Sequence, residues 1–309
     1  MNLKNFAAIS ACTKVFESGF KASKVYLGSI TAQSAVTLFE LLIEITFIQE
    51  LLISMSLYLY AVLQEENLDL IKDLELKGMN DQPVQFHKLP PFAIAYSEAQ
   101  QERYLASRAN LITHETVLES LMKAIDPHQA VPLPLQFGLV VEEWEEVQRD
   151  LLIPYEAKLK QLVHNLIGKR EVSVKLFWNQ TEELNLAVAE NAGLRQRSEA
   201  LTGKVLSMDE AIAIGQELES AIGDRQQAII EAFLSKLQPL SSEYAEGELL
   251  TESMIYNGSF LIAWDREEEF AAGVEALNLQ FENRLRIRYN DFTAPYNFVN
   301  IDRDADREE

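Results

Sequence analysis

His114-Glu115 is the pairing in this sequence best suited to proton transfer or metal ligation, because an imidazole titrates near neutrality and a carboxylate can orient it. Its spacing argues for a different job. His114 stands three residues after Leu111 and four before Leu118, on the helical stripe that turns toward a core. A packed, hydrogen-bonded imidazole is expected there, not a ligand or a base. His87, His128 and His164 have no partner at helical spacing and read the same way. Cys12 is the only cysteine, which excludes an internal disulfide and a cysteine-built zinc centre. No phosphate-cradling glycine loop, H-E-x-x-H or G-x-S-x-G occurs. The carboxylate runs Glu142-Glu143, Glu145-Glu146 and Glu267-Glu268-Glu269 lie opposite the apolar faces of amphipathic helices and read as solvated surface. Catalytic, cofactor-binding and metal-binding residues are therefore expected to be none. Arg284, Arg286 and Arg288 are more suggestive, since they alternate with Leu285, Ile287 and Tyr289. They form either an exposed sheet face neutralised by glutamates or an electrostatic docking face for an acidic partner. The aromatic segment Ala294–Val299 follows at once and should pack back onto the body or onto a partner. Pro295, Tyr296 and Phe298 thus join the arginines as candidate interface residues.

These groups belong to a chain of 309 residues with 27 Lys+Arg against 48 Asp+Glu, a net charge of −21. Such a charge repels nucleic acid and anionic membranes, so neither is an expected partner. Twelve Gly and nine Pro leave few turns and favour long helices. The charge is uneven: Lys4, Lys14, Lys21 and Lys24 balance Glu17, Glu40, Glu44 and Glu50, so all of the excess lies after residue 54. Residues 1–54 read as a separate extension, and Met55 is a candidate natural start. Phe6–Cys12 is too short for an export signal, and Glu50 inside Ile45–Leu63 argues against a membrane span. Val36–Ile53, with Glu40 and Glu44 at i,i+4, suits an amphipathic helix that docks on the body or a partner.

The elements that must position the candidate residues can be read from periodicity. Leu57–Leu63 is a buried strand, Gly78–Pro91 a loop, Phe92–Tyr96 a strand and Ser107–Ile125 a helix. Val131–Val141 is a loop entering a strand. Glu142–Leu152 is a helix with Trp144 and Val147 inward, and Pro154 restarts a helix that Gly168 caps. Glu171–Trp178 alternates as a half-buried strand. Helices fill 180–237, with a capping box at Ser207–Glu210. A possible strand before Gly247, a stronger one at Ser259–Trp264, a helix opened by a capping box at Asp265–Glu268, and a strand at Arg284–Asn290 complete the order. From residue 171 this is the order of a ferredoxin-like split βαβ unit with an enlarged first crossover. The expectation is an α+β chain of two domains, 55–165 and 166–301, with an extension at 1–54 and a charged tail at 302–309.

Pro295-Tyr296-Asn297-Phe298-Val299 resembles the Pro-Tyr-Ser-Phe-Val ending of the gas vesicle protein F/L family. Leu57–Leu63 is similar to that family's opening strand, His114-Glu115-x-x-Leu118 to its His-Glu helix, and Leu133-Pro134-Leu135-Gln136-Phe137-Gly138 to its Leu-Pro-Leu-Arg-Phe-Gly turn. Gly168-Lys169-Arg170-Glu171 resembles the start of its second domain, and the whole likeness spans about 55–300. Gln136 replaces a common arginine, and Asp291-Phe292-Thr293-Ala294 replaces the usual Gly-Pro-Trp-Pro. The resemblance implies two α+β domains, the second a modified ferredoxin-like one. It implies a cytoplasmic accessory protein of the gas vesicle, partnered with the hydrophobic shell protein and other accessory proteins, with no enzymatic activity. His114, Phe137, Gly138 and Gly168 are then structural residues of the family motifs. A small-molecule enzyme or sensor on a ferredoxin-like module is the alternative, and would need a polar pocket centred on His114 or a carboxylate pair.

Overall fold

The computed structural model describes residues 56–201 and 207–301. The readings made for 1–54, including the Val36–Ile53 helix, and for the tail at 302–309 lie outside the described residues.

The first sheet is antiparallel and is built around β1 (Leu57–Gln64), with β2 (Gln85–Leu89), β3 (Phe92–Glu98), β4 (Leu133–Pro134) and β5 (Val140–Val141). Its order is β2-β3-β1-β4, and β5 pairs with the start of β1. β1 carries no polar side-chain group before Gln64 except its two tyrosine hydroxyls, because both of its faces are covered, as in any strand buried on two sides. On one face Tyr58, Tyr60 and Leu63 pack against Val117, Leu118 and Leu121 of α1 (Arg108–Ala124). On the other, Leu57, Leu59 and Val62 meet Leu159, Leu162, Val163 and Leu166 of α2 (Ile153–Leu166). Each such side chain contributes about 1.5–3 kcal/mol on burial.

The second sheet contains β6 (Lys169–Phe177), β7 (Glu243–Glu246), β8 (Met254–Ala263) and β9 (Arg286–Thr293). It is antiparallel throughout and its order is β7-β8-β6-β9. Between β6 and β7 come α3 (Gln180–Glu190), α4 (Ala192–Leu201) and the long α5 (Met208–Leu237); α6 (Glu267–Gln280) joins β8 to β9. Val172, Val174 and Leu176 of β6 and Phe260 of β8 share a core with Ile229, Phe233 and Leu237 of α5 and Phe270, Val274 and Leu277 of α6. The expected boundary at 165/166 falls in the last turn of α2, three residues before β6. The cores are nevertheless joined across it: Leu261 of β8 packs with the α2 side of the first sheet, and Ala294 with the α1 side.

Several local expectations change. The segment read as a loop over Gly78–Pro91 holds β2, an edge strand hairpinned to β3 through Pro90-Pro91. Leu111, placed on the inward stripe with His114, is exposed, and the buried face of α1 runs through Val117 and Met122 instead. Pro154 stands in the first turn of α2, as expected, but the chain enters that helix without a break. The chain turns continuously from Trp144 through wider, π-type turns at Val147–Leu152 into α2, and these accommodate a residue without an N–H. The Ser207–Glu210 capping box forms in full, but Asp265 makes no cap on α6, whose N-cap is Arg266 without a side-chain bond.

Candidate functional site

Three polar constellations are set by this frame, and the first answers the question posed by His114. Tyr58 on β1 faces α1, and its hydroxyl lies 2.9 Å from His114 Nδ1. His114 Nε2 lies 3.2 Å from the Leu135 carbonyl, which can only accept, so Nε2 carries the proton and Nδ1 accepts from Tyr58. Gly138 N–H in turn donates to the Tyr58 hydroxyl at 3.0 Å. The relay ties β1 and α1 to the Leu133–Gly138 turn, which closes on Gly138 at φ +86°, a left-handed backbone that favours glycine. Phe137 packs edge-on to both rings. Burial pulls the His114 pKa down to about 4, against a weaker opposing effect of the Leu135 carbonyl, so the ring is neutral near pH 7. The same burial raises the Tyr58 hydroxyl. His114 is thus the packed, hydrogen-bonded residue that its spacing indicated, and both of its nitrogens are used within the fold.

The second constellation holds the C-terminal segment between the two sheets. Glu115, next to His114 on α1, accepts from Thr293 Oγ1 at 3.2 Å and from Ala294 N–H at 3.3 Å, and the Tyr296 hydroxyl bonds to it as well. The Tyr296 ring stacks 6.4 Å from that of His114. From the other side, Glu171 of β6 accepts from Asn297 N–H at 3.1 Å and from Asn297 Nδ2 at 2.6 Å, while Nδ2 also reaches Ser259 Oγ. Glu171 is only 2% exposed. Burial raises its pKa, against the lowering effect of the bonds from Asn297 and Ser259. Pro295 is buried, and Phe298 packs on the α2 side of the first sheet. Gly168, at φ +74°, completes the junction: its N–H donates to the Pro127 carbonyl and its own carbonyl accepts from Trp264.

The third constellation separates the arginines that the sequence grouped. Arg284 precedes β9 and is ion-paired with Glu183 of α3, a carboxylate that also holds Arg225 of α5. Arg286 and Arg288 are exposed on β9, with their guanidinium carbons 4.3 and 5.1 Å from the Phe177 ring centre. Lys175 is the register partner of Arg288. The buried carboxylates Glu171 and Glu183 were missed by sequence reasoning. Glu171 follows Lys169 and Arg170 at the start of β6, and Glu183 lies among acidic neighbours, so neither leaves a signal of burial in the sequence.

Among the described residues no group of three or more His, Cys, Asp or Glu is placed to hold a metal ion. Nor is any helix among them long and apolar enough to cross a membrane. An open groove between α3, α4 and α5 is lined by charged side chains that pair with one another, Arg197 with Glu217 and Arg225 with Glu190.

Comparison with known proteins places this architecture. Residues 56–300 match the family model described as gas vesicle synthesis protein GvpL/GvpF. Gas vesicle protein F of Dolichospermum flosaquae is 46% identical over 249 residues, covering 81% of this chain and 99% of the relative. That of Haloferax mediterranei is 22% identical, covering 82% and 97%. The crystal structure of gas vesicle protein GvpF from an Anabaena species aligns with a TM-score of 0.67 at 43% identity, covering 80% of this chain and 96% of that one. The corresponding Microcystis aeruginosa structure gives 0.66 at 43% identity, with 80% and 99% covered. The matched stretch takes in the Tyr58–His114 relay, the turn at Gly138, the junction at Gly168 and the clasped C-terminal segment. On this match and these relatives, the chain belongs to the GvpL/GvpF family of gas vesicle proteins.

Proposed function

We propose that this chain binds the hydrophobic major shell protein during nucleation or growth of the gas vesicle, as an accessory protein located at the vesicle in the cytoplasm and without enzymatic activity of its own. The observation that carries the reading is the family match over 56–300, with near full-length relatives named gas vesicle protein F. A net charge of −21 suits a holder of an apolar subunit, because self-repulsion keeps loaded complexes apart. The full use of both His114 nitrogens inside the fold supports a structural role for that residue over an acid–base one. We also read 166–301 as a ferredoxin-like domain. In chain order its strands lie 4-1-3-2 across the sheet, the arrangement that antiparallel pairing with two helical crossovers produces.

Of the candidate contacts, Pro295, Tyr296 and Phe298 are engaged by the body itself, and Arg284 by Glu183. We assign the outward-facing part of the interface to Arg286 and Arg288. Co-expression of the full chain with the shell protein, followed by affinity capture, tests the reading. Wild type should retain the shell protein. Folded wild type that captures neither the shell protein nor any other gas vesicle protein would overturn it.

A further inference from the structure

Lys175, Arg286 and Arg288 form a patch of positive charge on a protein that is otherwise strongly acidic. They occupy adjacent positions on the second sheet: Lys175 lies directly opposite Arg288, and Phe177 opposite Arg286. Like charges directly across an antiparallel pair destabilise it. Among the described residues none of the three is paired with a carboxylate, although the chain has 48 Asp and Glu to draw on. Arg284 and Arg225, only a few residues or one helix away, are both neutralised by Glu183.

The two guanidinium groups are also held in place. Each lies over the ring of Phe177, which is 5% exposed and therefore fixed. Stacking on an aromatic ring occupies a face of the guanidinium and leaves its N–H edges free, the edges that grip a carboxylate in bidentate fashion. Residues at i and i+2 of a strand point to the same side and stand about 6.5–7 Å apart. Among the described residues β6 is the only strand that pairs with β9, on one side of it.

We infer that Arg286 and Arg288, with Lys175 beside them, bind an extended segment of another protein carrying carboxylates at alternate positions. The i, i+2 repeat of an extended acidic segment matches the spacing of the two guanidinium groups, and the edge of β9 that no described strand covers offers it backbone hydrogen bonds. A longer polyanion is disfavoured by the same chain. Screening confines each charge to about 8 Å at physiological salt, so a short acidic segment meets only the cationic patch, whereas a nucleic acid would run on over acidic surface. The inference rests on the assembly reading only for the partner's identity, since the chemistry of the segment follows from the patch itself.

The test uses the full chain and a fluorescein-labelled peptide of alternating Glu and Thr, with an alternating Lys and Thr peptide as control, read by anisotropy. Wild type should bind the Glu peptide alone and lose roughly tenfold in affinity between low and high salt. Arg286→Gln/Arg288→Gln, which keeps much of the side-chain volume, should weaken binding at least about tenfold. Arg149→Gln should leave it unchanged, because that exposed arginine is already paired with Asp150. Circular dichroism on each variant confirms that the fold is kept. Failure of wild type to bind, or equal binding by the Gln/Gln variant, overturns the inference. Binding that appears only after Asp302→Asn/Asp304→Asn/Asp306→Asn also overturns it, because the chain's own tail would then be the occupant. Shell-protein capture, scored in parallel, separates the two readings. Capture without peptide binding removes this inference alone, and peptide binding without capture of any gas vesicle protein removes the assembly reading alone.

Discussion

Removing the Tyr58 hydroxyl would leave His114 Nδ1 and the Gly138 N–H without partners inside the core, which gives the relay a measurable energetic signature. Tyr58→Phe should cost about 1–3 kcal/mol in urea unfolding, the range for leaving buried polar groups unmatched. His114 also writes a pH dependence into stability. Its folded pKa of about 4 lies below the ordinary 6.5, so the unfolded chain takes up the proton first. The contribution is complete above pH 6.5 and is lost as pH falls toward 4, on the order of 3 kcal/mol. Glu171 acts in the opposite sense: its raised pKa gives stability that is present below the ordinary 4.5 and lost as pH rises through the folded value. His114→Gln should flatten the acid limb, and an unchanged slope would remove His114 from the account. The sequence placed this histidine correctly in the core, because its neighbours at i+4 and i+7 are apolar. It did not reveal the partner, since a tyrosine in an apolar strand looks like any other large core residue.

At the scale of elements, legibility tracked how many faces a segment buries. β1 and β6 are covered enough to impose a clear apolar pattern, and both were readable. β2 is an edge strand with Gln85 and Lys88 exposed and prolines on both sides, so its residues carry no such pattern and it read as a loop. The capping boxes show the limit of a local motif. Ser207 and Glu210 bond reciprocally, as the spacing demands. In the second motif Asp265 lies inside a 3-10 turn over Trp264–Arg266, so it does not stand at the N-cap of α6 and the Asp265–Glu268 box has no helix start to close. Ser207→Ala should accordingly cost about 1 kcal/mol, within the usual range for an N-cap. Asp265→Ala should be neutral by the same thermal-unfolding comparison, and an equal loss at both sites would mean that Asp265 does cap α6.

Across the whole molecule, the segment Thr293–Val299 decides whether the two sheets behave as one body. Glu115 grips it from the α1 side and Glu171 from the β6 side, while Pro295, Tyr296 and Phe298 fill the space between. Sequence reasoning left two fates open for these aromatics, the body or a partner, because an apolar terminal segment looks identical in either case. The carboxylates that settle the matter come from residues 115 and 171, far from it in the chain. Asn297→Ala removes the Nδ2 donor to a nearly fully buried carboxylate and leaves it the backbone N–H of residue 297. One Glu171 oxygen then lacks its Asn297 donor, and the cost should be about 1–2 kcal/mol near neutral pH. The loss should be smaller near pH 4, where a protonated Glu171 carries no unmatched charge. Because the clasp is what couples the halves, the variant should also lose cooperativity. Native-state hydrogen exchange should show a single opening energy for β1 and β6 in the wild type, and two separate values in Asn297→Ala. Equal destabilisation of both strands, with the common value kept, would instead assign the coupling to the direct packing of Leu261 against the first sheet.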